Sequence, residues 1–168
     1  MRRKAGKLIQ GNYLYLSLVC SETGTVSWKV GVTSNLNERA FALHALVTFT
    51  IKYYDIQDSW ADESWILWRL AEDGMRRYIP GLGIECIIDG AEQAAMELFI
   101  EVAADGYATG KIDRMNRWTK VLPETYVGIC TEDEYIFKCL EDEHQLINEH
   151  MLTDMFYDWQ DRHERVIN

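Results

Sequence analysis

Residues 11–20, G-N-Y-L-Y-L-S-L-V-C, are rich in aromatic and aliphatic side chains, and Ser21-Glu22-Thr23-Gly24 separates them from a second such run, Val26-Ser27-Trp28-Lys29-Val30-Gly31-Val32. Residues of this kind suit a pleated, half-buried surface, and two such runs joined by a short polar, glycine-containing break read as a β-hairpin. A hairpin alone is marginal in water, so further strands or helices of the chain have to complete the fold. Thr33-Ser34-Asn35 forms an N-cap cluster, after which Leu36, Arg39, Ala40, Leu43 and Leu46 recur at helical spacing, predicting a helix from about Asn35 to Ala45. Thr48 to Ile56 reads as a third strand. Asp58 or Ser59 then caps a second helix that carries Trp60, Ile66, Leu67 and Leu70 and runs to Gly74. Pro80 and its neighbouring glycines mark a loop, Ile84 to Ile88 a short fourth strand, and the alanine-rich stretch Ala91 to Ala104 a helix. The expected class is α/β in the α+β sense: a small domain with a central three- to four-stranded sheet flanked by helices.

The 168 residues, 48% hydrophobic and 26% charged, suit one compact domain with an appendage. A chain of this length buries roughly 70% of its unfolded surface and needs no disulfide or metal staple. The four cysteines, Cys20, Cys86, Cys130 and Cys139, show no C-x-x-C spacing and read as reduced thiols. No apolar run reaches the roughly 18 residues of a membrane span, and Met1-Arg2-Arg3-Lys4 leads into no signal-peptide core, so no membrane association and a cytoplasmic location are expected.

The net charge of −10 argues against a general polyanion binder. Residues 131–168 carry eleven Asp and Glu against Lys138, Arg162 and Arg165, a net of −8, which leaves the first 130 residues nearly neutral. The expected organisation is therefore a domain over residues 1–105, a linker or irregular segment over 106–130, and an acidic amphipathic helical extension over 131–168. That extension reads as a solvated helical hairpin, as a protein-binding or dimerising surface, or as a polyanion mimic.

Tyr13 and Tyr15 project on one face of the first strand, Lys29-Val30-Gly31 lies on the second, Arg39 follows Gly31 by eight residues, and Glu63 falls on the second helix. This order resembles the GIY-YIG nuclease superfamily, and more closely its phage-type branch, in which K-I-G replaces Y-I-G. Arg77 with Gly83-Ile84-Glu85-Cys86-Ile87 follows the outline of the branch's closing strand, so the resemblance spans roughly residues 10 to 104. It implies a GIY-YIG-like domain and a metal-dependent hydrolase, an endonuclease that cuts or nicks DNA in the cytoplasm.

On that resemblance Glu63 holds Mg²⁺ or Mn²⁺ through a carboxylate oxygen, and Arg39 offers its fork of donors to the phosphate. Tyr13 or Tyr15 orients or deprotonates the attacking water, and the sequence leaves the choice between them open. Lys29 and Arg77 join Arg39 as substrate-binding groups. Lys29 replaces a tyrosine, and Leu43 stands where the family often has His or Tyr, with His44 one step round the helix. These departures leave open a catalytically inactive GIY-YIG-like interaction module, a phage protein that binds or inhibits a host partner through its acidic C-terminal segment. Three plainer readings stand beside the site: Arg39 and Glu63 as a surface ion pair, Glu85 as a structural strand residue, and Trp60, Trp65 and Trp68 as core or partner contacts.

Overall fold

The computed structural model describes residues 10–21, 25–43, 45, 47–113, 119–121, 154, 155 and 158. Strands β1 (Gln10–Cys20) and β2 (Val26–Asn35) form the expected antiparallel hairpin, followed by α1 (Leu36–Ala42), β3 (Val47–Tyr53) and α2 (Ile56–Glu72). Then come β4 (Arg76–Ile79), β5 (Gly83–Ile87), α3 (Glu92–Thr109) and β6 (Thr119–Val121). One antiparallel sheet holds all six strands in the order β4-β5-β2-β1-β3-β6, which makes the fold α+β. The sheet is wider than the expected three to four strands because β4 and β6 are short and carry no alternating pattern.

Alternation along β1 separates two environments. Leu14, Leu16 and Leu18 face the main core with Trp28, Val30, Phe49, Ile51 and Tyr53, and α2 and α3 cover them through Ile66, Leu70, Met96 and Phe99. Burying each such large side chain contributes about 1.5–3 kcal/mol, and the stacked Trp28 and Phe49 rings, 6.1 Å apart, add roughly 0.5–1.5 kcal/mol. Tyr53 is a core ring with a polar end, and its hydroxyl donates to Asp62 of α2 at 2.6 Å, tying β3 to the helix above it. Tyr13, Tyr15, Ser17 and Val19 face the opposite side. There a smaller cluster of Val19, Ala40, Ala45, Ile79, Leu82 and Cys86 lies beside a hydrogen bond of 2.5 Å between Ser17 and Thr48.

Local sequence explains the element ends. The Asn35 side chain accepts from the Glu38 amide at 3.1 Å and so starts α1 immediately after β2. Helix α2 starts earlier than expected, because Asp55, in extended conformation, caps it by accepting from the Gln57 amide. Ser59, expected as a cap, is instead buried inside the helix with its hydroxyl bonded back to the Ile56 carbonyl at 2.6 Å. Helix α3 passes the expected end at Ala104 and stops at Gly110, whose φ of 77° supplies the left-handed cap. Beyond it Ile112 bridges to Tyr53, and β6 pairs with β3, so residues of the stretch read as linker are tied to the sheet.

Gly106 sits on the buried face of α3, where an added Cβ would collide with the buried Ile112 side chain. In a free helix Gly→Ala gains about 1 kcal/mol. Here overpacking of about 1–3 kcal/mol outweighs that gain, so Gly106→Ala is expected to lower the melting temperature. A melt at or above that of the parent would show that Ile112 yields without cost.

Cys20 and Cys86 form no disulfide among the described residues, while Cys130 and Cys139 lie outside them. Among the described residues no helix is long and apolar enough to cross a membrane. The expected acidic helical extension falls outside the described residues, apart from Asp154, Met155 and Asp158; of these, Met155 packs against the main core.

Candidate active site

The site forms at the end of β2 that leads into α1. Strands β2 and β5 are registered at Lys29 opposite Cys86 and no further, so on that flank β2 continues from Val30 without a registered neighbour. Residues from β1, β2, α1, α2 and β5 gather there.

Tyr15 stands directly between Gly31 of β2 and Thr50 of β3. Its ring lies across the glycine, since a Cβ at Gly31 would collide with the Tyr15 hydroxyl and ring carbons. The Tyr15 hydroxyl is buried, and among the described residues its polar neighbour is the Arg39 side chain, which does not reach full hydrogen-bonding geometry. Burial pushes its pKa up to about 12 against the pull of the neighbouring Arg39 charge, so Tyr15 is a neutral phenol at physiological pH. Tyr13 shares the face but sits one pair further along, opposite Thr33 and Lys52.

Arg39 is carried by α1 and is exposed. It lines a cleft of about 500 Å³ with Thr33, Ser34, Asn35, Glu38 and Gly81. Glu63, half-buried on α2, lies within electrostatic reach of Lys29, Arg39 and Glu85. Burial and then the Glu85 charge push its pKa up, while Lys29, Arg39 and a hydrogen bond from the Val32 backbone draw it down; the net direction is upward.

Glu85 is the residue that sequence reasoning undervalued. It accepts from the Lys29 ammonium at 2.9 Å, and Lys29 is only 6% exposed. Partial burial pushes Glu85 up, but the Lys29 hydrogen bond and charge, with Arg76 adding to them, hold it below the usual carboxylate range. The signal for Glu85 was present in Gly83-Ile84-Glu85, but its partner lies 56 residues away in sequence. The same pair engages the Lys29 ammonium, which donates to Glu85.

Four of the six expected site residues therefore meet: Tyr15, Lys29, Arg39 and Glu63. Among the described residues, the ion pair within this cluster joins Lys29 to Glu85, not Arg39 to Glu63. Arg77 does not join them. Its guanidinium donates to the Val26 carbonyl and to Asp89, each at 3.3 Å, toward the far end of β2. His44 lies outside the described residues.

The donors available to a divalent ion are hard carboxylate oxygens. Among the described residues no group of three or more His, Cys, Asp or Glu side chains converges, so an ion at Glu63 would complete its shell with water. That is the usual manner of Mg²⁺, and the upward-shifted Glu63 beside a second carboxylate is a place where a cation relieves repulsion. Arg39 is an exposed cation within electrostatic reach of Glu63. In comparison with known proteins, no family model, no curated protein and no solved structure matches this chain.

Proposed function

We propose that this chain is a metal-dependent nuclease of the GIY-YIG type, hydrolysing or nicking DNA phosphodiester bonds. The observation that carries the reading is the meeting of Tyr15, Arg39 and Glu63, drawn from three separate elements, around one end of β2. The order of hairpin, helix, strand and helix that brings them there is also the order on which the resemblance rests.

The roles follow from the chemistry of each group. Arg39 donates to the non-bridging phosphate oxygens and stabilises the charge that builds on them. Tyr15, a neutral phenol beside Arg39, orients the attacking water and does not remove its proton. Glu63 offers the oxygen that would hold Mg²⁺ or Mn²⁺. Bound there, such an ion would supply Lewis-acid stabilisation for the phosphate and a more acidic water. Lys29 fixes Glu85, and Glu85 in turn keeps negative charge beside Glu63, which favours a cation there.

The test is cleavage by the full chain of supercoiled plasmid, linear duplex and single-stranded DNA. Nicked or shortened products are expected with Mg²⁺ or Mn²⁺, none after chelation, and full return when the metal is restored in excess. Absence of cutting on every form, by protein whose thermal melt shows it folded, would sink the nuclease and leave the protein-interaction module.

A further inference from the structure

Beside the candidate site, on the Glu85 flank, a groove of about 330 Å³ runs between the C-terminal end of α2 and the β4–β5 hairpin. Tyr78 and Ile84 on its wall are 66% and 57% exposed, a large apolar outlay for a hairpin with no covering element among the described residues. Arg76 lines the same groove. It donates to the carbonyls of Ile84 at 3.2 Å and Leu67 at 3.5 Å, two neutral acceptors that hold its guanidinium in place. Its neighbour Arg77 is paired with Asp89. Arg76 is also within electrostatic reach of Glu85 and helps to lower that carboxyl's pKa. On the α2 side, Trp60 is 49% exposed one helical turn before Glu63. Within the groove's own lining the exposed ring is Tyr78, with the Arg76 guanidinium in the same lining; Trp60 stands eleven residues before Ala71 on α2 and is not part of it.

We propose that this groove receives an unpaired nucleotide of the strand being cut, its base stacked on Tyr78 and its phosphate beside Arg76. The substrate class is then single-stranded nucleic acid, or a junction with unpaired bases, in preference to continuous duplex. The inference rests on the nuclease reading for its link to cleavage and on the groove for its choice of substrate. In a duplex both faces of each base are covered by neighbours, so a protein ring reaches only an unstacked base. Duplex binding also depends on many Lys and Arg neutralising phosphates, and this chain has 17 of them against 27 Asp and Glu. Stacking supplies affinity that such a charge balance does not.

The test separates binding from cutting by using Glu63→Gln protein. Fluorescence anisotropy is measured with labelled oligothymidylate and with a duplex of equal length, in Mg²⁺, over a range of salt. Single strand should bind at least about tenfold tighter than duplex, Tyr78→Ala should weaken it roughly tenfold, and Tyr78→Trp should restore it. With so few cations engaged, log K should fall against log salt with a shallow slope of about −1 to −2. Tyr78 is exposed, so its variants should melt like the parent. Equal binding of duplex and single strand, or Tyr78→Ala binding as the parent does, overturns the proposal. Tyr78-dependent binding by a parent chain that cuts nothing would uphold the groove and defeat the nuclease. Cutting that is indifferent to Tyr78→Ala would do the reverse.

Discussion

Glu63→Gln is expected to abolish metal-dependent cutting, by about three orders of magnitude or more, without loss of folding. The amide keeps the shape of the side chain but has no charge for a divalent ion to meet. The stability effect should have the opposite sign. Burial and the Glu85 charge raise the Glu63 pKa, so the ionised form is disfavoured in the folded state and its charge costs stability at neutral pH. Removing that charge should leave the melting temperature equal or slightly higher, the usual signature of a residue kept for chemistry and not for the fold. Cleavage kinetics beside a thermal melt read both effects. A variant that cuts at the parental rate, or one that loses activity only because it unfolds, would remove Glu63 from the mechanism.

The second large effect belongs to Gly31. Gly31→Ala places a Cβ where the Tyr15 phenol lies, and Tyr15 is buried between β2 and β3. Overpacking of this kind costs about 1–3 kcal/mol, and displacing the phenol should lower cutting roughly a hundredfold. The control is a double-mutant cycle with Tyr15→Ala. Once the ring is gone the extra methyl has room, so the two changes should be strongly non-additive in denaturant unfolding, with a coupling of about 1–3 kcal/mol. Additive effects would mean that Gly31 and Tyr15 do not share the space.

Much of the fold was legible because its signals are local. The hairpin announces itself by composition and alternation. Arg39 is placed by the short step from β2 through the Asn35 cap into α1, all within adjacent residues. The start of α2 was misplaced because Asp55, Asp58 and Ser59 are all competent caps, and the end of β3 at Tyr53 selects the first of them. Strand β4 was invisible because four residues, Arg-Arg-Tyr-Ile, are too few to show a period.

The site divides along the same line. Tyr13 and Tyr15 are equivalent by spacing, and only the register that sets Tyr15 against Gly31 tells them apart. Glu85 read as structural because its meaning lies in Lys29, on a strand far away in sequence. The tryptophans of α2 read as core or partner contacts; Trp65 packs partly against the core, but Ile66 and Leu70 set the buried face and leave Trp60 and Trp68 outside it. Arg77 matched the outline of a motif, yet Asp89 and the Val26 carbonyl engage its guanidinium.

The β4–β5 hairpin joins the rest of the sheet through one registered pair, Lys29 with Cys86, supported by the Ser27 hydroxyl on the Ile87 carbonyl and by Arg77 on Val26. Apolar packing holds this edge as well, since Ile79, Leu82 and Cys86 are buried against Val19, Ala40 and Ala45 while Ile87 joins the main core. Were this edge to part, Glu85 would leave with the hairpin, and the cluster of Lys29, Arg39, Glu63 and Glu85 would pass from electrical neutrality to one net positive charge. Lys29 would lose its partner and turn from a strut into an anion receptor. The same outward swing would widen the groove that carries Tyr78. The position of the sheet's outer edge and the charge left on Lys29 are thus linked through the Lys29–Glu85 ion pair.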